Sequence, residues 1–311
     1  MKSKAIYLLT PCYNAAQNIE RTIKSIAEQQ GDFFVHYHVQ DGGSTDGTVA
    51  LLDRWQKTLA QHPKCQFSFE SKADKGLYDA LVKGFSAHGA MPPDSFMGWI
   101  NADDILLPGT LGFIANVAAS LPDIEWVGGQ EHVTDSNGDI LLAGKVFFPQ
   151  SFVAAGLCDG KHWSLLQQEG SFWKVSLWQK AGGIDPTFRL AGDWDLWRRM
   201  ALHAPYFVAD RPLGSFSRRE GQLSADVNGY GQEIDSRLAP WRRNAASLGM
   251  LFQSVLRLKD FSAHYIAENG ASVDVQSRNG MTWKRNVMLL LGGLGCSRVS
   301  QAYRCWKKNR M

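Results

Sequence analysis

The 311-residue chain sets 33 Lys and Arg against 30 Asp and Glu, and a net charge of only +3 excludes an electrostatic nucleic-acid binder. With 44% hydrophobic, 20% charged and 11% aromatic residues there is ample material for a core, which excludes general disorder. Five cysteines, odd in number and free of CxxC or Cys/His spacing, exclude a disulfide framework and a zinc site.

Met1-Lys2-Ser3-Lys4 leads straight into Ala5-Ile6-Tyr7-Leu8-Leu9, an apolar run too short for a signal peptide, so a cytoplasmic protein is expected. That run predicts a strand buried on both faces, ended by Thr10-Pro11. Ile19, Ile23 and Ile26 predict a helix with Asn14 or Asn18 at its cap. Residues 34–39, aromatic and β-branched, predict a second strand stopping at Asp41-Gly42-Gly43. Ser44 or Asp46 then caps a helix whose buried face is Val49, Leu52, Trp55 and Leu59. Phe67-Ser68-Phe69 reads as a third strand, followed by Lys72-Ala73-Asp74-Lys75-Gly76 and a helix carrying Leu77, Leu81 and Phe85. Residues 96–100 give a fourth, ending in Asn101-Ala102-Asp103-Asp104.

Strand alternating with helix implies βαβ units and a mainly parallel sheet, whose ligands bind beyond the carboxyl ends of the strands. Thr10, Asp41, Asp74 and Asp103 each follow an apolar strand, which puts them on one rim. Any one loop Asp is most simply a cap or turn former, but four equivalent placements are a pattern. The first turn has no GxGxxG and no GxxxxGK[ST] occurs, which argues against hydride transfer and ordinary nucleotide hydrolysis. The pair Asp103-Asp104 suits a hard divalent cation shared with a substrate's phosphate oxygens.

These motifs resemble those of family 2 glycosyltransferases. The resemblance is carried in order by Thr10-Pro11-Cys12-Tyr13-Asn14, Asp41-Gly42-Gly43-Ser44-Thr45-Asp46-Gly47-Thr48, Asp74-Lys75-Gly76-Leu77-Tyr78-Asp79-Ala80 and Trp99-Ile100-Asn101-Ala102-Asp103-Asp104. It continues through Gln168-Glu169-Gly170-Ser171-Phe172-Trp173, Gly182-Gly183-Ile184-Asp185 and Gly192-Asp193-Trp194-Asp195-Leu196-Trp197, and so covers about residues 4–224. It implies the GT-A fold, an α/β fold with a mainly parallel sheet flanked by helices and its nucleotide-binding half first. The donor it implies is a nucleotide-diphosphate sugar, with UDP as the expected nucleotide. By the same resemblance Thr10, Tyr13, Asp41 and Asp74, with Lys75, Gly76 and Asn101 beside them, hold the donor. Asp103, assisted by Asp104, holds Mg²⁺ or Mn²⁺ against the diphosphate, and Asn101 stands at the first position of the usual Asp-x-Asp.

Family 2 enzymes invert, which requires a base opposite the leaving group. Asp193 matches that base, with Asp195 as competitor and as helix cap its bland reading; Gly192 replaces the Glu that often precedes it. Residues 216–224 resemble a loop that carries an Arg and a His in relatives. Here Ser217 and Arg219 stand at those places, so the phosphate contact falls to Arg219 or Arg218. Of Trp99, Trp163, Trp173, Trp194 and Trp197, near the motifs, one or two are expected against a sugar ring and the rest in the core. A Gln-x-x-Arg-Trp motif and spanning helices, both expected of a polymerising relative, are absent from the sequence.

The chain therefore divides into a transferase domain over 1–245 and a helical, basic extension over 246–311, with Leu251, Val255 and Leu258 at helical spacing. No acidic residue follows Asp274, while Arg278, Lys284, Arg285, Arg298, Arg304, Lys307, Lys308 and Arg310 do. That tail is expected either to rest on the anionic cytoplasmic face of the inner membrane or to pack on the domain, or on a second copy, as a solvated helix. Its apolar run at 287–294 is far short of the roughly 20 residues that span a bilayer. The activity implied is transfer of one sugar to a glycan or lipid-linked glycan in bacterial surface polysaccharide, such as lipopolysaccharide, assembly. Two readings stand beside it: a non-catalytic sugar-nucleotide or glycan-binding protein on the same fold, and a sugar-nucleotide pyrophosphorylase. The latter lacks its glycine-rich, basic N-terminal loop here.

Overall fold

The computed structural model describes residues 4–294 apart from 260, 270, 271 and 280. The first third follows the predicted alternation: β1 (Lys4–Cys12), α1 (Ile19–Ala27), β2 (Phe33–Asp41), α2 (Thr48–Leu59), β3 (Cys65–Ser71), α3 (Leu77–Ala87) and β4 (Phe96–Trp99). β1 lies between β2 and β4 and runs parallel to both, so its carboxyl end sits at the centre of the rim. α1 forms because Ile19, Ile23 and Ile26 stack on one face; all three are buried, each stabilising the fold by about 1.5–3 kcal/mol. In α2, Leu52 and Leu59 are buried and Trp55 half-buried, and the Asp46 carboxylate receives the Thr48 N–H at 3.0 Å.

The middle of the chain supplies β5 (Ile105–Leu106), α4 (Thr110–Ser120), β6 (Trp126–Gly128), β7 (Glu131–Thr134), β8 (Ile140–Gly144), α5 (Gln150–Ala154), β9 (Phe172–Lys174), α6 (Val175–Ala181) and α7 (Gly192–Met200). β10 (Phe207–Ala209), β11 (Gly214–Ser217), α8 (Val227–Arg237) and α9 (Pro240–Val255) follow. Last come β12 (Ser262–Asn269), β13 (Ser272–Asn279) and α10 (Trp283–Gly293). Among the described residues the main sheet runs β13-β12-β10-β6-β9-β4-β1-β2-β3, and a smaller one runs β5-β11-β7-β8. β9 is antiparallel to both β4 and β6, whereas β12 joins β10 in parallel.

The extension differs from the expected helices. β12 and β13 form a hairpin that adds two strands to the main sheet, with Ala263, Tyr265 and Ile266 buried against it. The physical signal is in the sequence: an aromatic and β-branched stretch broken by Asn269-Gly270, a pair that favours tight hairpin turns. The division at 245 falls inside α9. Arg298, Arg304, Lys307, Lys308 and Arg310, the end of the basic tail, lie outside the described residues.

The tryptophans build the core between sheet and α7. Trp99 stacks on Trp197 with ring centres 5.5 Å apart, Trp197 stacks on Trp126, and Trp173 meets both Trp99 and Trp197 edge-on. α7 is thereby fixed to the sheet at its middle, which sets the position of the carboxylates at its first turn.

Candidate active site

A cleft of about 2050 Å³ opens over the carboxyl ends of the strands. Tyr13, Asp74, Gly76, Asn101, Asp103, Asp193, Arg218 and Arg219 line it. Four residues expected with them stand back from the wall. Thr10 is buried and accepts the Tyr37 hydroxyl at 3.0 Å. Lys75 is exposed and off the cleft, its N–H donating to Asp79. Asp41 is buried, and its carboxylate accepts from Ser44 Oγ, Ser44 N (2.9 Å), Gly43 N (3.1 Å) and Ser71 Oγ (2.6 Å). Burial opposes the charge, but these hydrogen bonds outweigh it and hold Asp41 below the usual carboxylate range. Asp41 thus fixes the turn that brings Gly42 and Gly43 to the cleft. A Cβ on Gly42 would stand 2.7 Å from an Asp74 oxygen, so a larger residue there would push the Asp74 carboxylate aside.

Asp104 is the fourth. It is wholly buried, accepts Ser217 N at 2.8 Å and the Asn101 amide at 3.3 Å, and is hydrogen-bonded to Glu169. Burial, then the charges of Glu169 and Asp103, push its carboxyl well above the usual range, and burial pushes Glu169 up to about 7. The two buried acids disfavour each other's charge, which raises both carboxyls together. The expected partnership of Asp103 and Asp104 at one metal is therefore absent from the geometry: consecutive residues of this turn face opposite ways.

Asp103 faces the cleft. Its Oδ2 accepts Arg219 Nε at 2.7 Å and Gln222 Nε2 at 2.9 Å, while its carbonyl accepts Arg21 Nη2 at 2.9 Å. On the same wall Asn101 Oδ1 is buried without a partner. A carboxylate and an orphaned amide oxygen are hard donors, and they fit Mg²⁺ or Mn²⁺ completed by phosphate oxygens. Among the described residues no cluster of three His, Cys, Asp or Glu would hold a metal without a substrate's help.

Asp193 and Asp195 both stand in the first turn of α7. Asp195 is buried between Arg199 (2.7 Å) and Arg198 (3.2 Å), off the cleft. Asp193 lines the cleft; burial raises its carboxyl to about 6, against the hydrogen bonds from Trp194 N (2.8 Å) and the Tyr78 hydroxyl (3.4 Å). Tyr78 also donates to Leu190 O at 2.9 Å, and its ring occupies the space beside Gly192. A Cβ there would fall 2.8 Å from that ring, which accounts for glycine at this position.

The motifs miss Glu233. From α8 its two oxygens accept three consecutive N–H groups of the loop before α7: Arg189 at 2.7 Å, Leu190 at 2.8 Å and Ala191 at 2.7 Å. Its charge also contributes to the rise at Asp193. No spacing signals this contact, because it joins segments 42 residues apart or more. Of the five tryptophans near the motifs, only Trp99 reaches the cleft.

The α/β fold, with its mainly parallel sheet and a cleft of loop carboxylates at the strand ends, is that of GT-A glycosyltransferase structures. Residues 7–149 match the model of glycosyl transferase family 2. It is 27% identical over 198 residues to an uncharacterized glycosyltransferase, Rv1514c, of Mycobacterium tuberculosis H37Rv, covering 63% of this chain and 69% of that one. Two solved structures share the fold. TarS 1–349 from S. aureus, in complex with UDP-GlcNAc, superposes with a TM-score of 0.54 at 13% identity, over 93% of this chain and 71% of that one. GalNAc-T7 with UDP, GalNAc and Mn²⁺ gives a TM-score of 0.50 at 12% identity, over 75% of this chain and 48% of that one. No helix among the described residues is long and apolar enough to cross a membrane.

Proposed function

We propose that this protein moves one sugar from a UDP-sugar to a hydroxyl of a glycan or lipid-linked glycan, with inversion, in the assembly of a bacterial surface polysaccharide. One observation carries the reading: Asp103 and Asp193 share a cleft, while their near neighbours Asp104 and Asp195 are tied up elsewhere. Asp193 accepts the acceptor's hydroxyl proton as that oxygen bonds to the sugar's anomeric carbon, and the bond from that carbon to the diphosphate breaks on the opposite face. A carboxyl held up to about 6 is ionised at neutral pH yet basic enough for the task. Asp103, with Asn101 Oδ1, would hold Mg²⁺ or Mn²⁺, which supplies neutralisation of the charge that develops on the departing diphosphate.

Arg219, leaving Asp103 for the donor, reaches the same phosphates, with Arg218 as its neighbour on the wall. Tyr13, Asp74 and Gly76 meet the nucleoside, beside the turn that Asp41 holds. UDP as the nucleotide is supported by TarS and GalNAc-T7, solved with UDP-GlcNAc and with UDP and Mn²⁺. The basic sequence after Asp274 supports work at the cytoplasmic face of the membrane, on its surface.

A thermal-shift panel of UDP, GDP, dTDP and CMP, with and without Mn²⁺, tests the donor side. Manganese-dependent stabilisation by UDP, lost in Asp103→Ala, is the expected result. Full transfer activity in both Asp103→Ala and Asp193→Ala would overturn the assignment of the site.

A further inference from the structure

α9 packs Ala246, Met250 and Leu251 against the core, yet it also exposes large apolar residues. Its two fully buried residues are polar: Arg243, bound to Asp159 (3.1 Å) and Asp235, and Ser247, which donates to Leu289 O at 2.7 Å. Asn244 beside them meets His162 Nε2 at 2.9 Å. This network fixes the rotation of the helix about its axis, and what it turns outward is apolar. Trp241 and Phe252 are 66% and 62% exposed, and Leu248, Val255 and Leu256 are exposed with them. Steps of three and four residues place Trp241, Ala245, Leu248, Phe252 and Leu256 on one stripe, roughly 22 Å long. α10 packs beside it and exposes Leu290 as well.

Charge selects the occupant. From Ser236 to Lys259 there is no acidic residue; Arg237 and Arg243 are held in ion pairs while Arg242, Arg257 and Lys259 are exposed, and Thr282 to Leu294 is also free of acid. Arg242 lies 5.4 Å over the Trp241 ring, and Arg257 and Lys259 are exposed where the stripe ends. A second copy of this face would meet it with cations against cations and no acid to pair them. An anionic lipid surface satisfies both features, since Trp, Phe and Leu enter the boundary between headgroups and acyl chains while arginines meet phosphate.

We infer that the outer face of the α9–α10 pair is a docking surface for an anionic bilayer, lying on it without crossing. The inference deepens the membrane-surface reading given above and gives it a site other than the basic tail. Through Asp159 and Asp235, both on the cleft wall, the docked helix is tied directly to the active site.

The full chain is tested by co-sedimentation with vesicles of phosphatidylcholine and phosphatidylglycerol at 3:1 and with vesicles of phosphatidylcholine alone, without donor or acceptor. Binding to the anionic vesicles, weakened about tenfold or more in Trp241→Ser/Phe252→Ser and also in Arg242→Glu/Arg257→Glu, is expected. Stabilisation by UDP, unchanged in these variants, separates a failure of docking from a failure of folding or of the transfer reading. Vesicle binding that both double variants retain would overturn the inference and leave the contact to the tail. So would light scattering that shows a dimer broken by Trp241→Ser/Phe252→Ser, because it assigns the face to a second copy.

Discussion

The two ends of the cleft are built by different means. At the end proposed for the donor, Gly42, Asp74, Asn101 and Asp103 lie in the short loops that follow β2, β3 and β4, although Asp103 is also held by Arg219 and Gln222. On the acceptor side, Asp193 stands on a helix that the tryptophan cluster holds from below and Glu233 and Tyr78 hold from the sides. The first arrangement is local and appears as short motifs; the second is long-range and leaves almost no mark in the sequence. If the proposed roles hold, a donor site of strand ends tolerates change in its surroundings, whereas a base positioned by remote contacts is sensitive to residues that never touch substrate.

The sharpest break comes from Asp193→Asn. We expect kcat to fall by about 10²–10⁴-fold, while manganese-dependent stabilisation by UDP stays as in the parent, since the donor side is separate. An equal loss of UDP binding would mean that the two ends are not independent. Next in size is Glu233→Gln, which removes a charge and weakens the three N–H contacts. We expect kcat to fall by about tenfold or more with the donor KM little changed. The acidic limb of the pH–rate profile should also move to lower pH, because Glu233 helps to raise Asp193. A limb that does not move would make Glu233 a purely structural clamp.

Gly192→Ala drives a methyl group into the Tyr78 ring, at a cost of about 1–3 kcal/mol read from denaturant unfolding. A further effect is on the pH dependence of stability. Asp193 in the folded chain is raised to about 6 from an ordinary 3.8, so the folded state binds more protons between those values and stability declines as pH rises through them. Asp193→Asn lacks this loss, so its Tm should exceed that of the parent at pH 8 and converge with it below pH 4, the range of the shift itself.

Much of the donor side was legible because strand ends and loop motifs coincide. The runs at 5–9, 34–39, 67–69 and 96–100 all became strands of one sheet. Spacing could say which residues end a strand but not which way a side chain turns there. Asp103 and Asp104 are neighbours in sequence, yet one faces the cleft and the other a buried acid. Asp41 and Asp74 both follow strands, yet only Asp74 lines the wall. Helical spacing at Leu251, Val255 and Leu258 carries no information past the end of α9, where the hairpin of β12 and β13 follows.

That hairpin also bears on how the molecule comes into being. β12 covers the flank of β10, and roughly 60 residues separate Ala209 from its partner Ile266. At about 5–20 residues per second of synthesis, the flank of β10 stays bare for several seconds after it leaves the ribosome. An uncapped strand edge is a template for pairing with other chains, and β13 then becomes the outermost strand in its place. A chain stopped before Ser262 would expose this edge permanently, so its fate would be aggregation rather than mere loss of an appendage.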